Sequence, residues 1–363
     1  METDLNGAVS APTPQTYDVV FTGSAREYFK IWIVNLFLTL VTFGIYGAWA
    51  KVRTRRYFYA CTSVAGHPFD YLANPVNILK GHLIVGALFI IYMVTEQFKP
   101  EWAFALMIVF YLIFPFLAYN SLKFYTHNSA YRNIRFRFNG TLKQSYILFL
   151  LKSLLIPLTL GLYFPFWVFL RKKWFFENAG FGTTTNRFTG RAKQFYKAYF
   201  FASLQFLLLA VIPLGMIMGI FAATNLEFSR ASLEQPEFLK VIFIFMAIGY
   251  ATMVLGSVIP QQYLFSQITN HCWNTSNLGR VRVNSRLKTG RLVLIRLTNF
   301  LAIIFSLGLM IPWAKVRRTR YVLGCLTVEE VGGGLDEFTA EMARDVSAVG
   351  DTAVDFFDFD IGL

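Results

Sequence analysis

Residues 44–57 read G-I-Y-G-A-W-A-K-V-R-T-R-R-Y, and the stretch returns twice. Residues 161–174 read G-L-Y-F-P-F-W-V-F-L-R-K-K-W, and residues 308–321 read G-L-M-I-P-W-A-K-V-R-R-T-R-Y. Five places after the glycine stands Trp49, Phe166 or Trp313; thirteen places after it stands Tyr57, Trp174 or Tyr321. Basic residues fill the space between: Lys51, Arg53, Arg55 and Arg56 in the first copy, Arg171, Lys172 and Lys173 in the second, Lys315, Arg317, Arg318 and Arg320 in the third. Each copy ends an apolar run. The pattern predicts a membrane segment that breaks at Gly or Pro, aromatic anchors at headgroup depth, and basic side chains that meet anionic headgroups just beyond. Chance likeness among apolar helix ends would not keep three sets of offsets, so the chain is read first as an internal repeat.

Of 363 residues, 55% are hydrophobic, 18% aromatic and only 15% charged, where soluble domains carry about 25% charged residues. With several apolar runs of about 20 residues, this implies a polytopic membrane protein. The net charge is +13, yet the last 35 residues, from Glu329, hold ten of the 21 acids and one base, Arg344. The bases sit at the ends of apolar segments and not along one polar face, which argues for cytoplasmic loops and against nucleic acid. Cys61, Cys272 and Cys325 form no C-x-x-C pair and no disulfide framework. Residues 1–15 lack the basic and apolar regions of a signal peptide.

Working outward, the chain divides into a disordered tail (1–16), a first membrane unit (17–119), a second (132–262), a truncated third (280–328) and an acidic tail (329–363). Residues 17–21, 134–138 and 280–283 are strand candidates that open the units. Gly23 and Gly140 each lie 21 residues before a repeat glycine, and Leu287 holds that place in the third unit. Apolar segments at 28–43, 146–160 and 291–307 lead into the repeats, and cleaner spans occupy 82–98, 102–119, 199–223 and 238–259. Residues 57–72 and 178–190 read as cytoplasmic β-hairpins. The fold class that follows is an all-α membrane protein: a polytopic helical bundle of three internal repeats with small cytoplasmic β-hairpin elements.

Charge orients it. If all seven apolar segments cross, the loop at 170–197, with seven bases, faces outward against the positive-inside rule. If the three repeat segments enter and leave on one side as broken helices, every basic cluster faces the cytoplasm. The second arrangement, with four spans, is preferred; the first would make two units inverted repeats, as in transporters.

Asn35, Lys152 and Asn299 share the position nine residues before the glycine, and Thr42, Thr159 and Ser306 the position two before it. A lysine at the bilayer centre costs about 2.5–3.5 kcal/mol. Either the six form a polar ring lining a substrate or ion path, or Lys152 snorkels to the interface. His67, His82, His127 and His271 are too scattered to hold a metal, and there is no P-loop, G-x-S-x-G or dinucleotide fingerprint. No metal, cofactor or catalytic residue is expected; a membrane enzyme acting on lipid is the remote reading.

With F-T-G at 21–23, the 44–57 stretch and G-H-P-F-D-Y at 66–71, the sequence resembles the YjgN family of bacterial inner-membrane proteins, which carry a domain of unknown function. The resemblance covers roughly residues 17–325. It implies a multi-pass protein of the bacterial inner membrane and brings no activity, substrate or functional residue. The repeats, the broken helices and the shared polar position make the expected function a transporter or channel for a small solute. The alternative is a non-transporting scaffold or envelope-associated protein, with a protein partner docking on the acidic tail.

Overall fold

The computed structural model describes residues 14–224 and 236–330. The chain falls into two compact units, one of residues 1–190, 272–286 and 319–363, the other of residues 191–271 and 287–318. Residues 331–363 of the acidic tail, with its expected partner site, residues 1–13 of the N-terminal tail and residues 225–235 lie outside the described residues.

The first unit is built on β-structure. Its described strands are β1 (Gln15–Asp18), β2 (Val20–Phe21), β3 (Thr62–Val64), β4 (His67–Tyr71), β5 (Ser129–Tyr131), β6 (Ile134–Phe138), β7 (Ala179–Phe181), β8 (Thr184–Phe188), β9 (Ser276–Leu278), β10 (Val281–Ser285) and β11 (Leu326–Glu330). Each pairs antiparallel with its neighbours in sequence from β2 through β11, and β11 pairs with β1. Only Val19 separates β1 from β2, and its N–H donates to the Leu326 carbonyl at 3.3 Å. One bent strand thus pairs with both ends of the sheet and closes it into a barrel of ten strands.

This overturns the all-α bundle. The expected hairpins at 57–72 and 178–190 exist, but they are not separate cytoplasmic ornaments. A hairpin of three to five residues per strand leaves two edges of unpaired backbone groups. Here every edge is satisfied by the next hairpin, and the ring leaves none open.

Because the barrel is up-and-down, connections alternate between its rims. At one rim lie tight turns at Ala65-Gly66, Arg132-Asn133, Gly182-Thr183 and Gly279-Arg280. The first two pairs have positive φ at both residues, 47° and 78°, then 51° and 64°, as hairpin turns that match strand twist require. At the other rim every connection is a pair of helical arms. These are α1 (Ala25–Val41) with α2 (Gly47–Ala60), and α3 (Pro75–Phe98) with α4 (Pro100–His127). A broken arm follows, of α5 (Leu142–Tyr146), a π-helical turn (Ile147–Leu151) and α6 (Leu155–Leu158), returning as α7 (Phe164–Asn178). Then come α8 (Ala192–Thr224) with α9 (Pro236–Asn274), and α10 (Thr289–Phe305) with α11 (Ile311–Leu323).

One bond recurs at all five exits. The residue after the outgoing strand donates its N–H to a carbonyl at or just past the end of the returning helix: Thr22 to Cys61 (2.9 Å), Leu72 to Asn128 (2.8 Å), Asn139 to Asn178 (2.8 Å), Thr189 to Thr275 (2.9 Å) and Arg286 to Cys325 (3.0 Å). The repeat is therefore fivefold in the barrel, not threefold with a truncation. Gly23, Gly140 and Gly190 follow Phe21, Phe138 and Phe188 by two residues. A Cβ on Gly140 would meet the Phe138 ring at 2.5 Å, and those on Gly23 and Gly190 would strike their phenylalanine rings likewise. Leu287 is tolerated in the same place because Ser285, two residues earlier, has no ring to fold over it.

The helices start where side chains satisfy their first N–H groups. Ser24 accepts from the Glu27 N–H (3.1 Å), Asn74 from Val76 (2.9 Å) ahead of Pro75, and Thr141 and Gln144 form a reciprocal capping box. Among the described residues two helices, α3 and α4, are long and apolar enough to cross a membrane, with 24 and 28 residues. Only 11% and 17% of their apolar windows are buried, so they are not core helices. The spans expected at 199–223 and 238–259 fall within α8 and α9.

Candidate functional site

The repeated stretch forms the tip and return arm of a helical hairpin, three times. Gly44, Gly161 and Gly308 donate to the carbonyls of Thr39, Ile156 and Ile303, each at 2.8 Å, and the residue before each glycine donates three back. This is the Schellman end of a helix, whose left-handed position usually holds glycine. Here it holds Phe43 (φ 49°), Leu160 (φ 51°) and Leu307 (φ 51°), with the glycine following at φ 90°, 86° and 92°. The three side chains are 98%, 94% and 95% exposed. Ile45, Leu162 and Leu309 beside them are exposed too. A left-handed conformation costs a non-glycine residue about 1–2 kcal/mol, so each tip accepts strain to present a large apolar side chain.

The residues of the expected polar ring serve their own hairpins. Thr42, Thr159 and Ser306 accept from the N–H of Tyr46 (2.9 Å), Tyr163 (3.0 Å) and Met310 (3.0 Å), capping each return arm. Asn35 Nδ2 donates across its hairpin to the Ala50 carbonyl (3.4 Å), and Asn299 Nδ2 to Ala314 (3.1 Å). Arg317 Nη1 donates to Asn299 Oδ1 (3.0 Å); Asn35 Oδ1 has no such partner among the described residues, and Arg53, at the same repeat offset as Arg317, is exposed. The second hairpin reverses the clamp. Trp167, six places after its glycine like Ala50 and Ala314, donates Nε1 to the Leu148 carbonyl (3.0 Å). The π-helical turn presents that carbonyl. Lys152 is half-exposed, and its side chain makes no hydrogen bond within the described residues.

Several expected headgroup contacts and anchors prove structural. Arg55 donates to Tyr71 Oη (2.9 Å) and lies over the Tyr71 and Tyr125 rings. Arg56 reaches the Tyr71 and Ala73 carbonyls (3.2 and 3.1 Å), and Arg320, at the same repeat offset, the Gly23 carbonyl (2.8 Å). Arg171 lies over Trp167 and Arg317 over Trp313. Tyr57 is tied to the Ser24 backbone at 2.8 and 2.9 Å. Trp174 is buried, edge-on to Phe138 and bonded to Gln144. Trp49, Phe166, Trp313, Tyr321, Lys51, Lys172 and Lys173 are half-exposed, while Arg53, Lys315 and Arg318 are exposed, with Arg318 over the Phe265 ring.

The sequence reading missed the barrel lumen. It holds a cavity of 220 Å³. Its walls are alternate strand residues, such as Leu326 with Val328 and Val281 with Val283. The final turns of the five returning helices close its helix rim, with Tyr59, Tyr125, Phe176, Trp273 and Leu323. The available signal was the alternation in short runs such as L-T-V-E-E, and the F-T-G at 188–190.

A family model described as bacterial protein of unknown function (DUF898) matches residues 16–356. The inner membrane protein YjgN of Salmonella typhimurium (strain LT2) is 32% identical over 146 residues, 39% of this chain and 36% of that protein. The protein of the same name from Escherichia coli (strain K12) is 30% identical over 134 residues, 35% of this chain and 32% of that protein. The matched stretch thus spans about a third of each relative. No solved structure matches the chain.

Proposed function

The chain belongs to the YjgN family, described as bacterial protein of unknown function (DUF898), and from that premise we propose that it is a multi-pass inner-membrane protein. On this reading it presents its barrel at the cytoplasmic face as a non-conducting binding module. One observation carries the proposal: the three strained tips that expose Phe43, Leu160 and Leu307. In water such a tip is unfavourable twice, in backbone and in hydration; among acyl chains the exposed side chain becomes favourable.

Arm length and strand pairing support partial entry. α1 has 17 residues and is about 25 Å long, short of the ~30 Å hydrocarbon core. β2 and β3 are antiparallel neighbours, so the chain between them leaves and regains the same rim, which a single crossing does not permit. The same holds for β6 with β7 and β10 with β11. α3 and α4 supply a crossing pair. The polar residues that suggested a channel are used inside the hairpins, which favours the non-transporting reading. Transport keeps one supporting observation, the half-exposed Lys152.

Single cysteines at the tips (Phe43→Cys, Leu160→Cys, Leu307→Cys) in a background without the native thiols would carry a fluorophore. Brominated lipid should quench all three labels in proteoliposomes and aqueous iodide none. Iodide quenching at the tips would overturn the proposal. Solute flux that Lys152→Leu abolishes would restore the transporter.

A further inference from the structure

We infer that the barrel lumen is a binding site for the end segment, about eight methylenes, of an unbranched acyl chain. The inference rests on the membrane reading only for where the ligand comes from. The cavity of 220 Å³ holds about seven water-sized groups at ~30 Å³ each. Eight-stranded barrels are just wide enough for their own side chains to fill, and larger ones enclose ligand space; with ten strands, this barrel is in the second class.

Water is a poor occupant. A buried water needs two to four polar partners, and the hydroxyls on these walls are already engaged. Thr62 donates to the Phe58 carbonyl (2.8 Å), Thr126 to Leu122 (2.9 Å) and Ser276 to Cys272 (2.7 Å), each closing the end of its own helix. Tyr59 donates to Tyr125 Oη at 2.8 Å. Arg137, the one charged side chain among the described lining residues, donates Nη2 to the Thr183 carbonyl (2.6 Å) in the β7–β8 turn. What remains is an apolar space, and a void of that kind forgoes the dispersion contacts of its whole lining.

The shape selects a chain. The lining runs from Leu323 at the helix rim to Val64, Leu278 and Val281, which flank the tight turns. It therefore extends the length of a five-residue strand, about 17 Å. This volume drawn out over that length is narrow, which suits a single methylene chain better than a ring system.

The test uses the full chain in amphipol, titrated with a fluorescent 18-carbon polyene fatty acid, and in a second arm mixed with vesicles that carry a phospholipid fluorescent on one acyl chain. Val64→Phe and Val283→Phe narrow the lumen; Thr327→Phe adds the same ring to the neighbouring, outward-facing position on β11. Saturable binding of one chain per protein is expected, weakened about tenfold by either lumen variant that keeps the wild-type melting curve, and unchanged by Thr327→Phe. Unlabelled palmitate should displace the fatty acid, and a polar solute such as glucose should not; this arm stands even if both lumen variants unfold. Uptake in the first arm alone assigns a free fatty acid, and uptake from vesicles assigns a membrane lipid. No saturable binding in either arm, or equal binding in lumen and Thr327→Phe variants, overturns the inference. Depth of the hairpin tips is read independently, so failure here leaves the membrane reading standing.

Discussion

Single residues record the repeat more fully than any motif search. Gly140 is required because the Phe138 ring lies over it, held edge-on by Trp174 at 4.9 Å. Leu287 stands in the glycine's place because position 285 holds Ser and not the phenylalanine whose ring packs on the glycine at three other exits. The reading from sequence found the glycines without their cause, since the cause is a contact with a residue two places away, seen only once the chain turns out of the sheet. His271 gives the residue scale its own test. Its Nε2 accepts from the Arg191 N–H (3.0 Å) beside the Phe195 ring. Burial pushes the imidazole below its usual 6.5, with the Arg191 bond as a weaker opposing cause. Between the lowered folded value and 6.5 the unfolded chain binds more protons, so stability rises with pH there. The contribution is present above 6.5 and is lost as the pH falls below it. The melting temperature of the wild type should drop more between pH 7.5 and 5.5 than that of His271→Gln, which keeps an acceptor without the titration; equal drops would remove this role.

At the scale of elements, the helical hairpins were legible, and so were the strands near 17–21, 134–138 and 280–283 and the hairpins at 57–72 and 178–190, whereas β5, β9 and β11 were not. A glycine after an apolar run, an aromatic and a basic cluster announce a break and a return, and all three appear as such. β5 and β9 have three residues each, too few for alternation to rise above its surroundings, and each needs, besides the next strand across a two-residue turn, a partner far back along the chain, β4 or β8. At the polar position nine residues before the glycine, the partners of Asn35 and Asn299 lie on the facing arm of the same hairpin, and Lys152 has none there among the described residues. The second hairpin shows how two solutions reach one end. Its clamp is Trp167, buried, with its ring edge-on to Phe149 at 6.0 Å and Arg171 over its face. Trp167→Phe keeps most of the apolar contact and leaves the Leu148 carbonyl without its donor. Such a loss costs about 1–3 kcal/mol, whereas Lys152→Leu should stay within about 0.5 kcal/mol. Chemical unfolding of the two variants in mixed micelles compares them. A neutral Trp167→Phe would mean that another contact fixes the hairpin.

Closure belongs to the whole barrel, and closure was beyond a reading that counted three units. Two of the five helical connections have no glycine tip, so they did not register as repeats, although Tyr71-Leu72-Ala73 and Phe188-Thr189-Gly190 end their strands in the same way. Closure has a consequence for membrane sidedness. Because all strands share one ring, the side on which the barrel lies is a single property of it. The native thiols sit on this ring. Cys61 and Cys325 are half-buried at equivalent helix–strand junctions, and Cys272 is buried. Burial pushes the Cys272 thiol up to about 12, against the lowering field of Lys172, and raises Cys61 as well. Since the thiolate is the reactive form, Cys272 should stay silent from either side until the protein unfolds. Thr183→Cys places an exposed thiol at the opposite rim, in the β7–β8 turn. With the barrel in the cytoplasm, a membrane-impermeant maleimide should label none of these sites in sealed cells. After permeabilisation it should label position 183 quickly, Cys61 and Cys325 slowly, and Cys272 only in denaturant. Labelling of position 183 in sealed cells would put the barrel outside. Labelling of position 183 from one side and Cys61 or Cys325 from the other would break the ring itself, because no closed sheet of this size spans the bilayer with turns on one face and helices on the other while keeping its helical hairpins in the acyl layer.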